Sequence, residues 1–371
     1  MNDLHGIIFA YRSDPALREL TSPRNTCSVP FGGRYRVIDF ALSNMVNAGV
    51  NDVGLIVQSS YQSLLDHVGS GKDFDLSRKR GGLRILTPFS YAGNHGFQNY
   101  RGRMDALVGV ISYLRNIRQS HVVLASGEVL ANLPLEDIFH QHLESGADIT
   151  AVCAKEPVGE PESCTYFTVG GGNRITDVFL HPSTPKGYES LEVYILSKEL
   201  LLSLVEHCAS HDLPSFGQSV LLSMLNTLKI MPYIHEGFAA RLHSVPAYFK
   251  ASQALLDPAV RRDLFTAKRP IRTKDRSDPS TYYSPDAHAD NSLIADGCII
   301  EGEVDHSILF RGVRVEKGAK VSHCICMPNT VIRAGASVSH VITDKGVTVG
   351  EGRCLMGTDT YPLAIAKDST V

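Results

Sequence analysis

Missing from this 371-residue chain is any apolar run approaching the ~20 residues of a membrane-spanning helix. Leu4 to Phe9 is too short for a signal peptide and has no charged leader, so it reads as a strand, with a cytoplasmic protein expected. Surplus charge is missing too: the formal net charge is −3, which gives no footing for nucleic acid or a membrane surface as partner. Spaced metal hooks are lacking as well. The eight cysteines, at 27, 153, 164, 208, 298, 324, 326 and 354, are scattered through apolar sequence and fit reduced, buried thiols. Cys324 and Cys326 follow His323 at a spacing that does not suit a zinc hook, so no metal is expected there.

The length exceeds one ordinary core and predicts two domains. Short apolar runs at 4–9, 53–57, 122–125 and 149–153 read as buried strands, and 38–48, 60–68, 104–117 and 135–144 as helices between them. That alternation predicts a mostly parallel sheet covered on both faces, with ligands beyond the carboxyl ends of its strands. From about Val260 to Pro285 periodicity gives way to Arg, Lys, Asp, Ser and Pro, the composition of a linker. Apolar residues then recur at six-residue steps: Ile294 and Ile300; Val315, Val321 and Met327; Ile332 and Val338. Glycines fall at 297, 302, 312, 318, 335, 346 and 350. A hexad period with glycine at the turns predicts a β-helix.

The block Val29 to Asn44, VPFGGRYRVIDFALSN, resembles the signature that follows the nucleotide loop in ADP-glucose pyrophosphorylases. Arg269-Pro270-Ile271-Arg272-Thr273 resembles that family's interdomain segment. The resemblance covers the whole chain. It implies a Rossmann-like nucleotidyltransferase domain with a mostly parallel sheet over 1–255, a linker over 256–288, and a C-terminal left-handed parallel β-helix of hexapeptide repeats over 289–371. The nucleotide loop itself is broken. The family's Ala-Gly-Gly-x-Gly-(Ser/Thr)-Arg-Leu falls on Ala10-Tyr11-Arg12-Ser13-Asp14-Pro15-Ala16-Leu17, so bulky or charged residues stand where glycine lets backbone approach phosphate. Within the family this is similar to the GlgD-type subunit that accompanies a GlgC-type catalytic subunit.

Carried over position by position, the resemblance implies further losses. The phosphate-binding arginine falls on Ala16, a phosphate-facing lysine on Thr26, and the lysine that holds the glucose 1-phosphate phosphate on His181. One magnesium-binding aspartate falls on Glu128, a methylene longer, and the second on Arg241, whose charge repels a cation. Gln58, Gly102 and Asp105 keep the family's residue types, as a vestigial pocket with Glu128, although Arg103 and Met104 are bulky. A glycine and an aspartate at a strand-to-helix turn equally suit a plain helix start. No cofactor is expected in this chain, with Mg2+ in the catalytic partner.

Two functions follow. In the first, the chain is a silent or weakly active regulatory subunit of glucose-1-phosphate adenylyltransferase, which makes ADP-glucose and pyrophosphate from ATP and glucose 1-phosphate. It would act in a hetero-tetramer with a GlgC-type subunit, or as a homo-oligomer alone. The second is an active nucleotidyltransferase of altered specificity using Glu128 as metal ligand. Each lost electrostatic group commonly costs about 10²–10³ in rate, which favours the first. An acyltransferase is the distant third, with His306, His323 and His340 as candidates by type. The resemblance also implies a sugar-phosphate or nucleotide effector bound near Arg24, Arg34, Arg36 and Arg314.

Overall fold

The computed structural model describes residues 3–87 and 100–371. The first domain is laid down as β1 (Leu4–Phe9), β2 (Pro30–Phe31), β3 (Tyr35–Arg36), α1 (Ile38–Asn47), β4 (Asp52–Ile56), α2 (Gln62–Val68), β5 (Gly82–Leu86), α3 (Arg103–Gly109) and α4 (Ile111–Arg115). It continues through β6 (His121–Ser126), β7 (Val129–Ala131), α5 (Leu135–Ser145), β8 (Ile149–Ala154), β9 (Thr165–Val169), β10 (Ile175–Leu180) and β11 (Tyr188–Ser197). It closes with α6 (Lys198–Ser210), β12 (Ile230–His235), β13 (Ala239–Arg241), α7 (Val245–Gln253) and α8 (Pro258–Leu264).

Nine strands form one sheet, in the order β10-β9-β11-β6-β1-β4-β5, with β8 joining β11 and β12. Only β10 and β11 run against the rest. Alternation along β1 explains the two layers: Leu4 and Ile8 enter a core with α1, α2 and α5, while Ile7 and Phe9 enter another with α3, α4 and α6. The single helix expected over 104–117 is corrected. Val110, at φ −119°, ends α3, and α4 starts afresh at Ile111.

The hexads wind into three five-stranded parallel sheets, the faces of a β-helix. Their inward residues, among them Ile300, Val315, Val321, Ile332 and Val338, are buried. At one corner His306, His323 and His340 stand on successive turns with rings stacked at 5.1 and 4.9 Å. All three have positive φ, the left-handed conformation that Asn, Asp and His tolerate best after glycine. The stretch 256–288 holds α8 and, at Tyr282–Tyr283, the first strand of the β-helix. Its RPIRT portion is bound to α1: Arg272 N–H donates to Ser43 Oγ at 2.8 Å, and its guanidinium to Asn47 Oδ1 at 3.0 Å.

The β-helix docks on the first domain by the face containing Ile308–Leu309, Ile325–Cys326 and Val341–Thr343. Ile308, Phe310, Ile325, Met327 and Ile342 share a core with Phe31, Phe40, Tyr248 and Phe249. The VPFGGRYRVIDFALSN block builds this junction. Gly32 and Gly33, at φ +60° and +83°, turn β2 into β3. Asn44 then clamps β7, donating to Ala131 O at 2.9 Å and accepting from Leu133 N–H at 3.0 Å.

Candidate functional site

The parallel strands β1 and β6 end at Phe9 and Ser126, and ligands of such sheets sit beyond those ends. The loop leaving β1 is tied down by its own donors. Asn25 Nδ2 donates to Ala10 O at 2.8 Å, Thr26 N–H to Arg12 O at 3.3 Å, and Asp14 N–H to Thr26 Oγ1 at 3.3 Å. Asp14 in turn accepts from Ala16 N–H at 3.0 Å, capping a short 3-10 helix over Pro15–Leu20. Tyr11 lies edge-on between Phe9 and Tyr100, with centroids 6.1 and 5.3 Å away. Buried Thr26 is thus a brace for the loop, while Ala16 and Arg12 are exposed.

Behind the loop lies a nest of buried charge. Arg103, at the start of α3, holds its guanidinium over the rings of Phe9 and Tyr194, 5.2 and 5.9 Å from their centroids. It pairs with Glu192 of β11. From β13, Arg241 donates to Ser190 O at 3.1 Å and places Nη1 4.0 Å from Glu192. Glu128, in the turn between β6 and β7, is 9% exposed, and its Oε1 has no hydrogen-bond partner among the described residues. Burial pushes the Glu128 carboxyl above its ordinary value, against the pull of Arg12, Arg241 and Arg103. Burial likewise lowers Arg103, with Arg12 and Arg241 adding repulsion.

Beside this nest Glu189 is buried and accepts from Val158 N–H, Gly159 N–H and Tyr166 O–H at 2.8, 3.1 and 3.2 Å. Burial pushes the neighbouring Cys164 thiol up to about 11, which makes it a poor nucleophile. His181 is exposed at the end of β10, with φ +53° and its N–H on Cys164 O at 2.9 Å.

Two of the residues that keep the family's types make local structural contacts. A Cβ on Gly102 would lie 2.3 Å from Pro214 O, so the close approach demands glycine. Asp105 accepts from Arg101 N–H at 3.1 Å and from its guanidinium at 3.3 Å. Gln58 is half-buried two residues beyond β4.

The cationic set divides. Arg24 is buried and donates from Nη2 to both carboxylate oxygens of Asp344 on the β-helix, each at 2.9 Å. Arg36 donates to Ser63 O and Oγ at 2.5 and 2.9 Å, and burial lowers it to about 10. Arg34 is exposed beside Tyr35. Arg314 is exposed on a β-helix face other than the docking one, in register between Ile299 and Val331. Lys345, next to Asp344, lies near Arg36 and Arg24. Burial and those two guanidiniums push its ammonium down to about 7.

Sequence reasoning missed Glu192, Asp344 and Lys345. Glu192 looks like one polar residue in a strand, and Asp344-Lys345-Gly346 like a turn. Neither segment carries a signal of its distant partner.

A mostly parallel α/β sheet with a charged nest at its ligand end, followed by a β-helix, defines a sugar-nucleotidyltransferase architecture. Residues 7–239 match the nucleotidyl transferase family model, and 281–361 a GlmU-like C-terminal hexapeptide model, which makes the β-helix the left-handed kind. The chain is 35% identical to the glycogen biosynthesis protein GlgD of Bacillus subtilis (strain 168), over 99% of this chain and 96% of that one. It is 34% identical to the GlgD protein of Geobacillus stearothermophilus, over 86% and 83% of the two chains. It is 32% identical to glucose-1-phosphate adenylyltransferase of the same organism, over 82% and 79%. The chain therefore belongs to the glucose-1-phosphate adenylyltransferase family, within its GlgD-type branch.

A divalent cation does not fit the residues present. Arg241 stands where the resemblance puts a metal-binding carboxylate, and Glu128 is surrounded by guanidiniums. Among the described residues no group of three or more His, Cys, Asp or Glu is arranged to hold a metal. Also among them, no helix is long and apolar enough to cross a membrane.

Proposed function

We propose that the chain serves glycogen biosynthesis as a silent or weakly active cytoplasmic subunit of glucose-1-phosphate adenylyltransferase, acting through association with a GlgC-type catalytic subunit. The observation that carries this reading is Arg241. It is buried, bonded to Ser190 O and paired with Glu192, so a cation holds the position from which phosphoryl chemistry needs negative ligands for Mg2+. The pinned loop at 10–16 supports the same reading, because its Asp14 and Ala16 N–H donors are engaged within the loop. The body of the protein remains well packed, as a subunit that works through its interfaces requires. Mg2+ belongs to the partner.

The regulatory contribution centres on the junction of the two domains. Arg24, Arg36 and Lys345 converge there, and a phosphorylated sugar or nucleotide effector would meet three cations offset by Asp344.

Size exclusion with light scattering, on this chain mixed with the GlgC-type subunit of the same genome, tests the association. A hetero-tetramer with raised activity or effector affinity is the expected result. Independent elution of the two proteins at micromolar concentration overturns it. Turnover by the isolated chain within about tenfold of the catalytic subunit, ~1.4 kcal/mol in barrier, returns the decision to an active enzyme using Glu128.

A further inference from the structure

Glu192 is a carboxylate held in a conformation that suits glycine. Its φ is +58°, at the point where the register of β11 against β8 slips between Ser190 and Val193. A non-glycine residue in this region is strained, so its surroundings must hold it there. The backbone N–H of Glu192 donates to Ser190 Oγ at 3.0 Å, and its side chain, 14% exposed, lies between Arg103 and Arg241.

Both arginines are fixed independently of Glu192. Arg103 is clasped by the faces of Phe9 and Tyr194, and Arg241 is anchored on Ser190 O. The buried Nε of Arg241 has no partner among the described residues. Two preset guanidiniums converging at the ligand end of a sheet are the usual means of gripping a soluble oxyanion. Here the oxyanion is a side chain of the protein itself.

We propose that Glu192 is a built-in plug, its carboxylate filling an oxyanion subsite made by Arg103 and Arg241 and shutting out inorganic phosphate and pyrophosphate. Charge balance explains the exclusion. Glu192 pairs with Arg103 and stands 4.0 Å from Arg241, so an arriving phosphate meets a carboxylate already lying between the two guanidiniums. Removing Glu192 leaves one cation uncompensated, with Arg12 exposed close by. The plug shares Arg241 with the reading of a silent subunit without resting on it, because it concerns what lies between the two guanidiniums and not whether the chain turns over.

The test uses the full chain and reads binding alone. Glu192→Gly relieves the backbone while removing the carboxylate, and Glu192→Asn keeps a residue that tolerates positive φ. Calorimetric titration with phosphate and with pyrophosphate should show a saturable site in each variant at least about tenfold tighter than any in the parent, ~1.4 kcal/mol. Adding Arg103→Met to Glu192→Gly should abolish that site. Equal affinity in parent and folded variants overturns the proposal, as does binding that survives Arg103→Met, which would put the anion elsewhere. Should Glu192→Gly unfold, melting of Glu192→Asn in phosphate and in chloride at matched ionic strength decides. A rise in phosphate larger in Glu192→Asn than in the parent supports the plug, and an equal rise in the two overturns it.

Discussion

Buried guanidinium–carboxylate pairs occur in two regions of this molecule, and they do opposite work. At the ligand end of the sheet, Arg103, Glu192 and Arg241 close a pocket on itself within one domain. At the junction, Arg24 reaches Asp344 across 320 residues of sequence and ties the first domain to the β-helix. Nearby, Arg18 donates to Tyr361 Oη at 2.9 Å, fastening the degenerate loop region to the last β-helix turn. The first region pairs its guanidiniums within one domain, and the second pairs one across two.

The comparison is broken most severely by Asp344→Ala, which leaves Arg24 buried without its partner. Removing one member of a buried pair costs about 3–5 kcal/mol, readable by urea unfolding. A loss under about 1 kcal/mol would mean that apolar contact alone holds the junction.

Next in size is a pair of glycine substitutions at the ligand end. Gly102→Ala drives a methyl into Pro214 O and should cost about 1–3 kcal/mol. Gly171→Ala meets nothing within 4 Å and should stay within about 0.5 kcal/mol of the parent. Equal effects of the two would show that the Pro214 segment yields freely.

The two regions should also answer pH differently. Burial holds His5 and His142 of the first domain at about 4, below the ordinary 6.5. Their neutral forms stabilise the fold fully above pH 6.5, and that stability is lost as pH falls towards 4. Lys345 at the junction is lowered from 10.5 to about 7, so the unfolded chain binds the extra proton between those values. Stability from this group therefore rises as pH climbs from 7 towards 10.5. Melting curves across pH should show the acid limb flattened by His5→Phe and the alkaline limb by Lys345→Met, each leaving the other limb unchanged. One variant that flattens both limbs would mean the regions titrate as one unit.

The smallest change belongs to Glu128→Gln. Its buried carboxyl oxygen has no hydrogen bond to lose, and burial already disfavours its charge. A gain under about 1 kcal/mol is expected. A loss above about 2 kcal/mol would assign Glu128 a strong partner among the three arginines around it.

The sequence by itself determined the strongly periodic elements, though not the break at Val110 between α3 and α4. Strand β1 runs over Leu4–Phe9 as its pattern indicates, because alternating side chains bury on two faces whatever lies beyond. The six-residue period specifies the β-helix in the same way, one inward residue per face of each turn. The VPFGGRYRVIDFALSN block is legible as a family signature, yet its position at the junction with the β-helix is not. Whether an arginine is paired lay outside the sequence. Arg24 and Arg314 look alike in one dimension, and only the docking of one β-helix face buries the first against Asp344 and leaves the second in solvent. Glu192 depends on a register slip that puts a strand residue at positive φ between two distant guanidiniums. Charge pairing acts through space and is decided by register, bulge and docked face, whereas periodicity acts along the chain. The periodic strands and hexads could therefore be read in advance, and the charge pairing could not.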